Sequence, residues 1–295
     1  MATPQVTSTA PATTKAVDAY TAAQAAQDAA AQRSTRTFRV WRGEGGAGAA
    51  AGKLVDYTTD VVEGMVVLDA MHQIQAEQAN DLALRWNCKA GKCGSCSAEI
   101  NGKPKLMCMT RLNELPADQP VTVEPMRAFP HLRDLVTDVS VNFRVKKTIA
   151  RFKPRPPDAP DGTWRMAQSD VDRVQEFRKC IECFLCQDVC HVLRDHHLHE
   201  QFAGPRHMVY AAALEMHPLD TADRVPALKN EHGIGYCNIT KCCTAVCPEH
   251  ITITDNAIIP LKERVVDEFY DPVGKLVKIF SRKKRDEGRG KGDAK

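Results

Sequence analysis

Eleven residues, Cys180 to Cys190, constrain this chain more than any other stretch. Their cysteines, Cys180, Cys183, Cys186 and Cys190, are spaced C-x2-C-x2-C-x3-C. In that spacing three thiolates hold one iron–sulfur cubane and the fourth reaches over to a second cluster. The run therefore requires more cysteines elsewhere, and the sequence supplies Cys237, Cys242, Cys243 and Cys247, the last followed by Pro248. A third group lies far upstream: Cys88, Cys93, Cys96 and Cys108, spaced C-x4-C-x2-C-x11-C, which is the plant-type spacing of a [2Fe-2S] centre. Together the three groups use all 12 cysteines.

A chain of 295 residues is long enough for two domains with separate cores. Charged residues make up 26% at a formal net charge of +3, so no global field points to nucleic acid. Twelve cysteines in a small secreted protein would indicate disulfides; tight C-x2-C groups in a chain of this length indicate metal in a reducing compartment. Zinc is the competing use of such cysteines, but C-x4-C-x2-C-x11-C is not the usual zinc spacing. No apolar run approaches the ~18–20 residues that cross a bilayer. The amino-terminal stretch lacks a basic n-region followed by an apolar h-region, and Asp18 and Asp28 count against a transit peptide, so export is not expected.

Read in order, residues 1–36 are rich in Ala, Thr and Gln and are expected to form a mobile extension with a frayed helix near Ala16 to Ala31. Alternation predicts strands at Thr37 to Arg42 and Lys53 to Thr58. Between them Gly43 to Gly48 matches G-x-G-x-x-G by letter but leads into a strand rather than a helix, so it reads as a hairpin loop, not a dinucleotide fingerprint. Val67, Leu68, Met71 and Ile74 form the apolar face of a predicted helix. Gly91, Gly94 and Ser95 are small where backbone N–H groups must turn toward cluster sulfurs, and Asn101-Gly102 predicts a tight hairpin that brings Cys108 back. Strand-like Val121 to Val123 and an apolar stretch from Leu132 to Val141 complete the first unit. Lys153 to Gly162 is proline-rich and reads as a linker or surface loop. Beyond it the pattern is helical. Ser169 is the expected N-cap of a helix whose stripe of Val171, Val174 and Phe177 leads into Cys180. Further helices are predicted from Pro205 to before Pro218, with Met208, Val209, Ala212 and Met216 inward, and over about Leu261 to Tyr270. The fold class is thus α+β. Its expected parts are an N-terminal β-grasp plant-type ferredoxin domain at 37–145, an all-α bacterial-ferredoxin-like domain at 146–270, and a basic tail at 271–295.

The spacing also distributes the ligands. A repeat of C-x2-C-x2-C-x3-C-P from Cys237 puts ligands at 237, 240, 243 and 247, but position 240 is Thr240. A cubane short of one thiolate tends to lose the iron that thiolate would hold. A [3Fe-4S] centre is therefore expected on Cys190, Cys237 and Cys243, and a [4Fe-4S] centre on Cys180, Cys183, Cys186 and Cys247. Cys242 is one register off the repeat and is expected to be a small buried hydrophobe rather than a fourth ligand.

The three groups in this order resemble the iron–sulfur subunit of succinate dehydrogenase and fumarate reductase, with Asn101 to Cys108 closing the first group and Cys180-Ile181-Glu182-Cys183 opening the second. The resemblance spans roughly residues 37 to 270. It implies an electron path from an FAD-containing flavoprotein subunit, where the dicarboxylate chemistry resides, through [2Fe-2S], [4Fe-4S] and [3Fe-4S] clusters to a quinone in a membrane anchor that in some cases carries haem. It places the chain as a peripheral subunit on the cytoplasmic face of the cell membrane, with no catalytic residue of its own. Relatives of heterodisulfide or thiol-linked fumarate reductase type, and a free ferredoxin-like carrier, are the alternatives. The sequence departs from the family where proline usually follows the cysteine at 190 and ubiquinone-linked members carry tryptophan a few residues later. His191 and Asp195 stand there, so menaquinone is the expected quinone. His191, His196, His197 and His199 form either a proton-handling edge beside the last cluster or a solvated turn near a partner. The tail from Val273 to Phe280, with Arg282 to Arg285, suits either an anionic membrane surface or solvent.

Overall fold

The computed structural model describes residues 34–45 and 52–272. The helix expected near Ala16 to Ala31, most of the glycine-rich loop and the tail from Val273 onward lie outside these residues. Among the described residues no helix is long and apolar enough to cross a membrane.

The first part is a mixed five-stranded sheet in the order β2-β1-β5-β3-β4. Strands β1 (Ser34–Arg42) and β2 (Lys53–Val61) pair antiparallel from Ser34 opposite Val61 to Arg42 opposite Lys53. Alternation sends Phe38 and Val40 to the core, where both are fully buried. Helix α1 (Val67–Glu77) packs its predicted face against the sheet, with Val67, Leu68, Ala70, Met71 and Ile74 buried. The Asp69 carboxylate accepts the Val66 N–H at 3.1 Å and fixes the helix start. Strands β3 (Ser97–Ile100) and β4 (Lys103–Leu106) are joined by Asn101 and Gly102, whose φ values of 49° and 71° are those of the mirror-image turn that the Asn-Gly pair favours. Asn101 Oδ1 also accepts the Thr122 N–H at 2.8 Å, tying the turn to β5 (Val121–Glu124), which runs parallel to β1.

A small ribbon, β6 (His131–Arg133) and β7 (Val136–Thr137), and helix α2 (Ser140–Thr148) lead away from the sheet. Beyond α2 the regular elements are helices joined by loops: α3 (Gln168–Gln175), the one-turn helices α4 (Leu185–Asp188) and α5 (His191–Arg194), α6 (Pro205–Glu215), α7 (Val225–Asn230), the one-turn α8 (Cys242–Ala245) and α9 (Ile259–Phe269). Two expected starts are corrected. Ala167, not Ser169, stands at the N-cap of α3; its extended backbone lets its carbonyl accept the N–H groups of Asp170 and Val171, and Ser169 falls inside the first turn. Helix α9 begins at Ile259 rather than Leu261, because the wide π turn Ile253–Ile258 runs directly into it.

Two hydrophobic cores result, one under the sheet and one among the helices, and each is completed by the other's chain. Cys183 and Leu185 pack into the sheet core, whereas Met126, Ala128, Phe129 and Val139 pack into the helical core. Polar contacts pin this seam. Ser97 Oγ lies 2.8 Å from the Cys183 carbonyl oxygen, and the Ala128 N–H donates to Asp188 Oδ1 at 2.9 Å. Glu99, fully buried on β3, sits between Arg127 Nε at 3.1 Å and Arg194 Nη2 at 3.0 Å.

Candidate functional site

All twelve cysteines are free, and the fold gathers them into three places. The first is the loop between α1 and β3. Left-handed backbone at Lys89 (φ 56°), Gly91 (66°) and Gly94 (68°) curls this loop, and the N–H groups of Ala90 and Lys92 donate to Cys88 Sγ at 3.4 and 3.2 Å. Successive inward N–H groups of this kind are what a cluster's sulfurs need. Cys88 is exposed and Cys93 half-buried, while Cys96 and Cys108 are buried, joined by the Met107 N–H to Cys96 carbonyl bond at 3.0 Å. Burial pushes the Cys96 thiol up to about 12. At Cys93 burial also acts upward, but hydrogen bonds with Ser95 and backbone N–H groups outweigh it and bring the thiol down to about 7.

The second place is a small cavity of about 20 Å³ lined by Cys180, Cys183, Cys186 and Cys247, with Ile181, Phe184 and Arg206. These four are the set that the spacing assigns together. Burial pushes Cys183 up to about 12, Cys186 well above the ordinary thiol range and Cys247 upward. Thiols that hold their protons so firmly become ligands only when a metal cation displaces the proton, as coordination does outright. The Ile251 N–H donates to Cys247 Sγ at 3.4 Å. Glu182, left-handed between two of the cysteines, is ion-paired to Lys146 and to the buried Arg206.

Cys190, Cys237, Cys242 and Cys243 line the third place, a small cavity of about 10 Å³, beside His191, Asn238, Thr240 and Thr254. Thr254 Oγ1 lies 3.4 Å from Cys243 Sγ. Burial, with smaller contributions from neighbouring cysteines including Cys242, pushes Cys190 up to about 12 and Cys243 to about 11. The expectation for Cys242 is corrected here: it is half-buried rather than buried, and its thiol stands in the cavity 3.3 Å from Thr240 Oγ1. The left-handed turn at Lys241 starts α8 at Cys242, which keeps that side chain out of the core.

The donor sets fit iron–sulfur clusters: groups of sulfur ligands, inward N–H groups and apolar walls. The histidines, in contrast, do not act as one group. His191 lines the third cavity, with Nε2 2.9 Å from Asn238 Nδ2, and packs edge-on to His196 at 6.3 Å. His199 instead lines a separate surface cleft with His232, Arg144 and Glu231, and His197 is exposed.

Sequence reasoning missed how the sites approach one another. A Cβ on Gly94 would fall 2.5 Å from the Cys183 Cα, so the first cysteine loop touches the second directly. The second and third places are joined by α4, which connects Cys186 to Cys190, and the Cys243 thiol is near enough to raise the proton affinity of Cys186 further. Two cysteine loops in contact were not predictable from spacing. The small residue at 94 was the signal, read only as room for N–H groups.

Comparison with known proteins agrees with this geometry. Residues 37–144 match the model of a 2Fe-2S iron-sulfur cluster binding domain, and residues 176–251 match a 4Fe-4S dicluster domain. The chain is 34% identical over 200 residues to a fumarate reductase iron-sulfur subunit of Mycobacterium tuberculosis, covering 66% of this chain and 79% of that one. It is 30% identical to a succinate dehydrogenase iron-sulfur subunit of Bacillus subtilis, covering 61% and 71%. Among solved structures, a chain of the Mycobacterium smegmatis Sdh1 complex in the apo form superposes with a TM-score of 0.77 at 60% identity, covering 82% of this chain and 100% of that one. With three cysteine sites in file and these relatives, the chain belongs to the iron–sulfur subunits of succinate dehydrogenases and fumarate reductases, and its role is electron transfer.

Proposed function

We propose that this chain is the electron-transfer subunit of a membrane-bound succinate dehydrogenase. In this reading a β-grasp ferredoxin-like domain at 37–145 carries a [2Fe-2S] cluster on Cys88, Cys93, Cys96 and Cys108. A helical, bacterial-ferredoxin-like domain at 146–270 carries a [4Fe-4S] cluster on Cys180, Cys183, Cys186 and Cys247 and a [3Fe-4S] cluster on Cys190, Cys237 and Cys243. Bound clusters supply one-electron chemistry; the chain's own residues exclude water, fix the spacing and set potentials through N–H groups and charge. The partners are an FAD-containing flavoprotein on the side of the first site and a membrane anchor on the side of the third, at the cytoplasmic face, with menaquinone as acceptor.

The observation that carries the reading is the direct approach of Gly94 to Cys183, which supports electron passage between the first two cysteine groups. Low-temperature EPR of the purified complex, as isolated and after dithionite, with iron and sulfide counted, tests it. About nine irons per chain, an oxidised-state signal from the third site that disappears on mild reduction, and a reduced-state signal from the first site are expected. A chain that lacks either signal, or that copurifies with no flavoprotein oxidising succinate, refutes it. A second reading, fumarate reduction, is favoured by the Mycobacterium tuberculosis relative. Comparing the two directions of turnover in the same complex separates them.

A further inference from the structure

The second and third sites are built on one repeated backbone. Glu182 and Phe184 take left-handed φ values of 57° and 62°, and Ile239 and Lys241, at the matching places after Cys237, take 63° and 62°. Each pair opens a one-turn helix, α4 at Leu185 and α8 at Cys242. A β-branched residue such as Ile239 is held left-handed only where its surroundings impose it. The repeat aligns Thr240 with Cys183. The third loop therefore keeps the backbone that presents a thiolate and presents a hydroxyl instead.

The repeat also aligns Cys242 with Leu185, and here the two halves part. Leu185 is 1% exposed and packs into the sheet core. Cys242 turns into the third cavity, which it lines with Cys190, Cys237 and Cys243. Its thiol lies 3.3 Å from the hydroxyl of Thr240, the residue that stands where the fourth ligand is missing. Four cysteines thus surround a site whose register supplies only three.

We propose that Cys242 is a reserve ligand for a fourth iron: its thiol reaches the corner that Thr240 leaves without a thiolate, so the third site takes up or releases one ferrous ion. This rests on the reading that Cys190, Cys237 and Cys243 hold a three-iron centre. The step balances. One electron, from dithionite in vitro, first reduces the three-iron centre; a ferrous ion then binds at the open corner. Cys242 gives its thiol proton to solvent and forms one Fe–S bond, and no further electron enters during uptake.

The test uses the purified complex with wild-type chain, Cys242→Ser and Cys242→Ala. Each is reduced with dithionite, incubated anaerobically with ferrous ammonium sulfate, desalted, and reoxidised mildly for EPR and iron analysis. Wild type is expected to lose the oxidised-state signal of the third site while iron rises from about nine to about ten per chain. Both variants are expected to show the full signal before treatment and to keep it afterwards. Equal iron uptake by the variants, or none by wild type, overturns the proposal. So does absence of the signal from both variants before iron is added, because Cys242 would then build the three-iron centre itself. If untreated wild type also lacks that signal, the proposed function fails at its third site, and this proposal falls with it.

Discussion

Gly94→Ala tests whether the seam between the first two cysteine sites is as tight as the structure makes it. The substitution adds one methyl at a backbone φ of 68°, and that methyl meets the Cys183 Cα at 2.5 Å and its Cβ and N at 2.9 Å. Ordinary contacts begin near 3.5 Å, so backbone must move by about 1 Å. Holding alanine left-handed costs about 1–2 kcal/mol, and overpacking a seam of this kind adds about 1–3 kcal/mol. The Ser97 hydroxyl to Cys183 carbonyl contact at 2.8 Å is stretched in the same movement. Gly102→Ala is the control, since its φ is 71° but nothing lies within 4 Å of the added carbon. It carries the backbone cost alone. Thermal unfolding of the cluster-loaded chain, followed by visible absorbance, should therefore drop further for Gly94→Ala than for Gly102→Ala, by about 2–12 °C at roughly 2–4 °C per kcal/mol. Flavin-driven reduction beyond the first site should slow in Gly94→Ala only. Equal midpoints for the two variants, with unchanged electron delivery, would refute the close approach.

Glu99→Ala removes the fully buried carboxylate shared by Arg127 and Arg194. A loss of about 3 kcal/mol is expected from denaturant unfolding, and Arg194→Ala in the Glu99→Ala background should cost less than it does alone. His207 is 2% exposed, and burial lowers it to about 4. The unfolded chain, near 6.5, binds its proton first, so stability falls by up to about 3 kcal/mol as pH drops from about 6.5 to about 4, and His207→Gln should flatten that slope in urea titrations. Cys183→Ser should lower iron by about four per chain while the reduced-state signal of the first site persists, which metal analysis with EPR checks directly.

Much of this architecture was legible because its signals are local. The apolar face of α1 repeats with the helical period, Asn101-Gly102 specifies a turn by the φ values those residues tolerate, and ligand spacing reflects the reach of a thiolate around a cluster. The N-cap of α3 was misread because Ser169 carries a capping side chain, whereas the carbonyl of Ala167, with no side-chain capping bond, closes the first turn. Cys242 was misread because register alone predicts an equivalent of Leu185, and the direction of a side chain after a left-handed residue is not written in register. The histidines looked like one group by proximity in sequence. His191 opens α5 directly after Cys190 and so stays at the third cavity, whereas the turns after α5 send His199 to another cleft.

The second and third cavities exchange cysteines: Cys247 comes back to join Cys180, Cys183 and Cys186, and Cys190 goes forward to join Cys237 and Cys243. Neither cavity is closed by a contiguous stretch of chain. A nascent polypeptide that has reached only Cys190 holds no finished receptacle, and the two become competent together once the segment around Cys247 has arrived. On the proposed ligand sets, metal insertion would therefore wait for the whole helical half, and binding to the completed sites alone would draw the folding equilibrium forward.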